Sequence, residues 1–519
     1  MGVLSVLILL FCVAFLGSVQ SERAPALQLV ADLAVERGAE ILAFDDQACA
    51  LYVIGGEGLS VFAMADPLTP RLIASLGFST TEQWEPTSVA VDPLGRGFAA
   101  ATWIPSPSDS VPGMLQLIDT EHHQIVWQMP IGYHPDCVMF TPDGSRLLIA
   151  NECEPASTDR AGGITIVDLQ DIHTTQDFKE IREPDFYGFT PDFLGDGVDL
   201  AVLRDRSGGD SQPGVDIEPE YLAATIDGVW VSLQENNAVG YFDFAVRKWT
   251  RLIELGSFAH NFDSIDEDGI NILPRPGVRL LAEPDTVEFF QAGDGRGYLL
   301  LANEGEQGDR SRIRFSAAIR EGRLDRGAHT ILDALYGGNA EAQLGQLWIS
   351  SIDGDLDGDG DIDQPIVLGG RNIAVLDIQS GELVWDSGSQ IEEITAERWP
   401  EQFNAGDRRS SKSGPEPEGL AIGSIDGRIY GFVGLERARA VMMYDLSDPA
   451  NAVFIDAAAL GEGYSPEGLA FMKIGDRHYL AVASELANRL TLFEIVHEKT
   501  RPGVSGAGGV SPDVQGDYR

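Results

Sequence analysis

The chain has 519 residues, 44% of them hydrophobic and 23% charged, the balance of a globular protein with a large core. Lys and Arg number 36 against 81 Asp and Glu, a formal net charge of −45. That weighs against nucleic acid or an anionic membrane as the main partner, since both require a basic face, and it suits cation binding or a solvated acidic surface.

Residues 3–16 (VLSVLILLFCVAFL) form a short apolar run followed by small and polar residues up to Ser21. This pattern predicts a secretory signal peptide over residues 1–21, although the usual basic start is missing. The alternative is an uncleaved anchor, but the run is shorter than the ~20 residues of a spanning helix. No second apolar run of that length follows, so no membrane span is expected in the mature chain. Cys12 lies inside the run without a lipobox context. The mature chain then holds Cys49, Cys137 and Cys153. Cys137 and Cys153 flank a predicted hairpin, which leaves open either a cross-strand disulfide or three reduced thiols.

Past the leader, Leu27 to Val35 reads as a lone strand. Seven units follow, each of short apolar runs bounded by Gly, Asp and Pro. They begin at Ile41, Pro86, Pro135, Pro219, Pro284, Pro417 and Pro466. Repetition of a strand–turn–strand–strand unit predicts an all-β, seven-bladed β-propeller over residues 27–497. The last unit lacks a fourth strand, and Leu27 to Val35 is expected to supply it and close the ring. An open array of β-sandwiches is the alternative. The fifth unit is interrupted by an insertion, residues 305–370, and the Gly- and Pro-rich tail 498–519 is expected to be disordered.

In a propeller the innermost strand starts on the face where the second strand ends. The residue after the opening proline is Asp136, Glu220, Asp285, Glu418 or Glu467. The residue ending the second strand is Glu152, Glu235, Glu304, Glu436 or Glu485. Both sets are therefore expected around one mouth of the central channel, with Thr87 and Trp103 interrupting the ring in the second unit. Crowded carboxylates raise one another's pKa unless a cation, arginines or backbone N–H groups neutralise them. Each acid capping the loop of its own unit and a few acids holding a metal are both compatible with the pattern.

The insertion contains IDGDLDGDGDIDQP, Ile352 to Pro365. Asp355, Asp357 and Asp359 at alternate positions, Gly360 at the turn, and then Asp361 and Asp363 follow a calcium loop. Hard oxygen ligands at that spacing wrap Ca²⁺ because the glycine lets the chain fold back. The bidentate Glu at the twelfth position is missing: Ile366 stands there, or Gln364 if the loop starts at Asp353. The loop is thus EF-hand-like, with a ligand expected from elsewhere; the alternative is an acidic, Gly-rich disordered loop. Ahead of it lie Arg310, Arg312, Arg314, Arg320, Arg323 and Arg326, expected to pair with surrounding acids or to bind a phosphate or carboxylate ligand.

With GPEPEGLAIG, VSLQENNAV, LLLANEGEQGDR and the DxDGDGD loop in view, the chain resembles the choice-of-anchor I family. That family includes mesenchyme-specific cell surface glycoprotein-like proteins and some members labelled alkaline phosphatase. The likeness runs through most of residues 38–497 and implies a secreted or surface-attached propeller. Ala317, Ala318, Ser411 and Ser413 stand where the family tends to carry acids, and the tail shows no hydrophobic span for an anchor.

Two functions follow as expectations. The first is a secreted or surface-associated, calcium-binding module for an extracellular ligand or matrix component. The second is a calcium-dependent phosphoesterase, with top-face carboxylates holding cations that activate water and Arg310 and Arg371 taking the phosphate. No catalytic set is identified: Gly-x-Ser-x-Gly is absent, and the eight histidines are scattered apart from His122 and His123.

Overall fold

The computed structural model describes residues 24–78, 83–106, 111–153, 160–204, 217–305 and 311–496. The signal-peptide segment, the tail from residue 497 and Arg310 lie outside the described residues.

Each repeat begins with the same local instruction: an extended run, a tight turn, and a second run so apolar that it must be covered on both faces. In the first unit Ala50–Gly55 and Gly58–Ala63 are buried almost throughout. Outer strands alternate instead, as in Gln124–Pro130, because one face meets water. The chain folds accordingly into antiparallel four-stranded sheets that follow one another in sequence. The first spans Leu42–Asp45 to Arg71–Leu76, the second Gln83–Val91 to Gln124–Pro130, and the third Pro135–Phe140 to Asp185–Gly188. The fourth spans Leu222–Ala224 to Lys248–Glu254, the fifth Pro284–Gln291 to Glu382–Asp386, and the sixth Pro417–Ile425 to Val453–Ala459.

The last sheet comprises Pro466–Ile474, Arg477–Ser484 and Arg489–Val496, and its fourth strand is Ala26–Ala34. That strand pairs antiparallel with Arg489–Val496, from Ala26 opposite Val496 to Ala34 opposite Arg489. Asp32 pins it by accepting from Arg489 and from the Tyr464 hydroxyl at 2.8 Å. The first strand of every sheet packs on the first strand of the next, and Pro466–Ile474 returns to Leu42–Asp45. This closed ring of sheets is the architecture of a β-propeller and not an open array.

The chain between the fourth and fifth sheets joins the insertion, which the sequence did not indicate. Ser257–Phe258, Arg279–Leu281, Ile366–Val367, Trp348–Ser350 and Arg312–Arg314 form one five-stranded sheet. Arg279–Leu281 pairs parallel with Ile366–Val367. Helices Phe315–Glu321, Arg326–Leu335 and Ala340–Leu344 close a separate small core around Phe262, Leu280, Phe315 and Leu347. No helix of the described residues is long and apolar enough to cross a membrane. Cys49, Cys137 and Cys153 are free thiols. Burial raises Cys137 to about 12 and Cys153 to about 11, as expected of inert buried sulfur.

Candidate functional site

The channel mouth is built by a backbone device repeated from sheet to sheet. The ladder between the first and second strands slips just after each opening proline, between Pro135 and Val138, Pro284 and Val287, Pro417 and Leu420, and Pro466 and Leu469. Asp136, Asp285, Glu418 and Glu467 sit in these bulges, which re-aim a side chain out of the regular pleat. In the last two sheets a glycine after the acid lets neighbouring innermost strands touch. A Cβ on Gly419 would lie 1.6 Å from the Glu467 carbonyl oxygen, and one on Gly468 would lie 2.4 Å from that of Glu40.

The residue before the proline is the third member of each group, and sequence reasoning missed it. Its carbonyl receives the N–H of the second strand's terminal glutamate: His134 from Glu152 at 2.9 Å, Glu416 from Glu436 at 2.9 Å, and Ser465 from Glu485 at 3.2 Å. His134, Glu283 and Glu416 all take positive φ, 45°, 46° and 51°, in front of their prolines. The recurring pattern HPD, EPE, EPD, EPE, SPE was the available signal.

The groups converge on a cavity of about 360 Å³ lined by Glu40, Glu85, Thr87, His134, Asp136, Glu220, Tyr221, Asp285, Glu418, Glu467 and Glu485. Ligand atoms of His134, Asp136 and Glu152 lie within 4.8 Å of one another, and so do those of Glu152, Glu220 and Glu235. Asp285, Glu304 and Glu418 form another such trio, and Glu304, Glu416 and Glu436 a further one. Each pair of trios shares one glutamate, Glu152 or Glu304.

Loop capping does not account for four of these acids. Among the described residues, the carboxylates of Glu220, Glu418, Glu467 and Glu485 accept no backbone N–H. Glu418 Oε2 is buried without a hydrogen-bond partner. Glu304 accepts from the Gln234 amide at 2.9 Å, and Glu152 lies 2.6 Å from His134 Nδ1. Burial, followed by the charge of neighbouring acids, pushes Glu40 to about 7. Burial also takes Asp285 to about 7 against a hydrogen bond from Thr286. Glu436 rises to about 8, burial outweighing the Arg437 guanidinium 2.5 Å away. Glu152, Glu220, Glu304, Glu418 and Glu467 rise well above the carboxylate range, burial first and neighbouring acids second.

Arginines enter at the rim. Arg409 and Arg437 both hold Glu416. Arg204 ties the insertion to the mouth: its guanidinium reaches Asp353 at 2.8 Å, the Glu235 carbonyl at 2.8 Å and Glu283 at 3.4 Å. Arg371 is placed otherwise than the sequence suggested. It is 1% exposed, paired with Glu392 at 2.8 Å, bonded to the Asp263, Ser410 and Lys412 carbonyls, and stacked on Phe262. It is a strut beneath the insertion and cannot take a ligand in the channel. Nor do Arg312, Arg314, Arg320, Arg323 and Arg326 pair with acids among the described residues; their partners are carbonyls, Ser411 and the Trp348 ring.

The Asp-rich loop folds back on itself. Asp355 accepts N–H bonds from Gly358 at 2.7 Å and Gly360 at 2.9 Å, and Asp363 accepts from Leu356 at 2.7 Å. Asp359 and Asp361 donate their N–H groups to Asp357 and Asp359. Gly354, Gly358 and Gly360 take positive φ, as the reversal requires. Ile362 is buried and bridges to Leu324, with its N–H on Arg323 and its carbonyl receiving Asp325. Asp353 is turned away to Arg204 and Ser350.

A family model, the Choice-of-anchor I domain, matches residues 40–449. Gigasin-3a of Magallana gigas is 36% identical over 118 residues, 21% of this chain and 41% of that protein. Mesenchyme-specific cell surface glycoprotein of Strongylocentrotus purpuratus is 29% identical over 144 residues, 24% of this chain and 18% of that protein. The chain thus spans less than half the length of these curated relatives. Among solved structures, Kuenenia stuttgartiensis hydrazine synthase superposes with a TM-score of 0.46 at 11% identity, over 90% of this chain and 98% of that one. The Myceliophteria thermophila Cps50 (Swd1) β-propeller domain gives 0.44 at 9% identity, over 90% and 100%. The propeller architecture rests on the strand order and sheet succession described above.

Proposed function

The chain belongs to the choice-of-anchor I family, and from that premise we propose that it is a secreted or cell-surface propeller of seven blades that binds calcium and acts as a binding or adhesion module. An extracellular ligand or matrix component is its partner. Seven four-stranded sheets in a closed succession support the blade count. The name of the sea-urchin relative, a cell surface glycoprotein, and the apolar run at residues 3–16 support the location.

One observation carries the cation reading. Carboxylates buried or half-buried, which no backbone N–H satisfies, bring ligand atoms within 4.8 Å of one another at Asp285, Glu304 and Glu418. An all-oxygen donor set suits a hard divalent cation, and the orphaned Glu418 Oε2 fits one. Asp285, Glu304 and Glu418 would hold the ion at the mouth, and Asp355, Asp357, Asp359, Asp361 and Asp363 would hold calcium in the insertion loop. Asp353, engaged by Arg204, is the weakest ligand of that loop. The ions would neutralise the crowded acids and fix the face presented to the partner.

Calorimetric titration with Ca²⁺ at pH 7.5 tests this on the mature chain, the Asp355/Asp357/Asp359→Asn variant and the Glu304/Glu418→Gln variant. Each variant should lose one class of site and part of the calcium-induced rise in Tm. Unchanged binding in both sinks the assignment.

A second reading, a calcium-dependent phosphoesterase, is favoured by one feature: Glu304 is shared between two acid trios, with Arg409 and Arg437 held beside the second. Calcium-dependent hydrolysis of a phosphomonoester or phosphodiester, lost in Glu304/Glu418→Gln, would establish it. Absence of turnover on both ester classes would leave the binding module.

A further inference from the structure

We propose that the insertion carries a site for a tetrahedral oxyanion, a phosphate or sulfate group either free or esterified, formed by Arg312, Arg314 and Lys412 beside Trp348. The strand register creates it. Arg312 and Arg314 are alternate residues of the edge strand Arg312–Arg314 and share a face. Arg314 lies directly opposite Trp348 on the neighbouring strand. Both guanidinium groups gather on that indole, Arg314 at 4.3 Å and Arg312 at 5.0 Å from the ring centroid. The Trp348 backbone N–H bonds the Ser411 carbonyl, which brings the next residue, Lys412, close enough to feel the charge of Arg314.

In a chain with 36 cations and 81 acids, Arg204, Arg371, Arg409 and Arg437 around the insertion and the mouth each find a carboxylate. These three cations do not. Among the described residues, Arg312 and Lys412 donate no side-chain hydrogen bond, and Arg314 donates only to the Gln346 carbonyl and the Ser411 hydroxyl. Among the described residues, the acids that act on them are engaged elsewhere: Asp266 by the Ser411 N–H at 2.7 Å and hydroxyl at 2.8 Å, and Glu416, which acts on Lys412, by Arg409 and Arg437.

The half-buried cations crowd one another. Arg314 is lowered by burial and by Arg312, and Lys412 by burial, Arg409 and Arg314, with Asp266 opposing in both cases and Glu416 opposing at Lys412 as well. Crowded, partly desolvated cations with unused donors are relieved by a multiply charged anion, and a guanidinium fork presents two parallel N–H groups to such an oxyanion. The net charge of −45 does not forbid this, because salt screens distant acids beyond about 8 Å at physiological ionic strength. The site is independent of calcium and of either function proposed above.

Isothermal titration of the mature chain with inorganic phosphate, inorganic sulfate and glucose 6-phosphate tests it. A chelator is present throughout, so that bridging by metal is removed. Lys412→Gln and Arg312→Gln should each weaken binding at least about tenfold, the loss of one charge-assisted contact. Arg320→Gln, at an exposed arginine that bonds only the Ser316 carbonyl, should leave affinity unchanged. Tighter binding of the ester assigns the site to an esterified group and equal binding to the free ion; both uphold it. Failure of the wild-type chain to bind any of the three probes overturns it, as does unchanged affinity in Lys412→Gln and Arg312→Gln. Lys412 has no side-chain partner to lose, so its variant should keep the parent Tm and remain informative.

Discussion

Glu288 offers a direct test of how the channel treats charge. It lies on the innermost strand of the fifth sheet, Pro284–Gln291, near enough to Cys137 on the third for its charge to raise that thiol. Burial alone lifts its carboxyl from 4.5 to about 7. Below pH 4.5 the folded and unfolded chains both hold the proton and stability is unaffected. Between 4.5 and about 7 the unfolded chain releases it while the folded chain keeps it, so stability falls as pH rises. At about 1.4 kcal/mol per pH unit, the full loss by pH 8 has a ceiling of about 3 kcal/mol. Water around the partly exposed side chain lowers the expected figure to about 1–2 kcal/mol. Glu288→Gln replaces the acid with a neutral group of the same size. The variant should match its parent near pH 4.5 and exceed it by that amount at pH 8, as read by urea denaturation in the presence of chelator. A gain of equal size at both pH values, or a loss at pH 8, would refute the assignment of the shift to burial.

The same sign applies to the mouth. Glu40 and Asp285 titrate near 7 and Glu436 near 8, so the calcium-induced rise in Tm should grow from pH 5.5 to pH 8; scanning calorimetry showing an equal rise at both would count against a mouth site. Arg371→Met leaves Glu392 buried without its counterion and should cost about 3–5 kcal/mol in denaturant titrations. Arg371→Lys should recover only part, because one ammonium cannot span the Asp263, Ser410 and Lys412 carbonyls as well as Glu392. Gly419→Ala drives a methyl into the Glu467 carbonyl and should lower Tm by more than Gly293→Ala, whose added Cβ meets open space at an ordinary φ; equal effects would show that the innermost strands tolerate separation.

Much of this molecule is written locally and repeated. Each unit carries its own apolar runs and turn, five of the seven open on a proline followed by an acid, and alternation or continuity of apolar residues says which strands are outer and which are enclosed. The acids after the prolines and at the ends of the second strands were therefore legible, as was the surplus strand at Leu27 to Val35, since one unit lacked a partner for its last edge. The residues before the prolines were legible too, had the period been read one position earlier.

Other features depend on which distant segments meet. Asp185–Gly188 and Glu382–Asp386 complete the third and fifth sheets without belonging to any recognisable unit, and Arg279–Leu281 finds Ile366–Val367 across most of a sheet's length of chain. Arg371 looked like a ligand because charge in a sequence carries no record of burial; the packing of Phe262, Glu392 and three carbonyls made it a strut. Conversely, Arg312 and Arg314 looked destined for acids in so acidic a chain, and only the register across Trp348 kept them from one. The sequence by itself determined the elements and the repeated rim, because those follow from short-range sterics and hydrophobic period. Only the tertiary structure decided which charges are satisfied, because pairing and desolvation depend on neighbours that lie tens or hundreds of residues away.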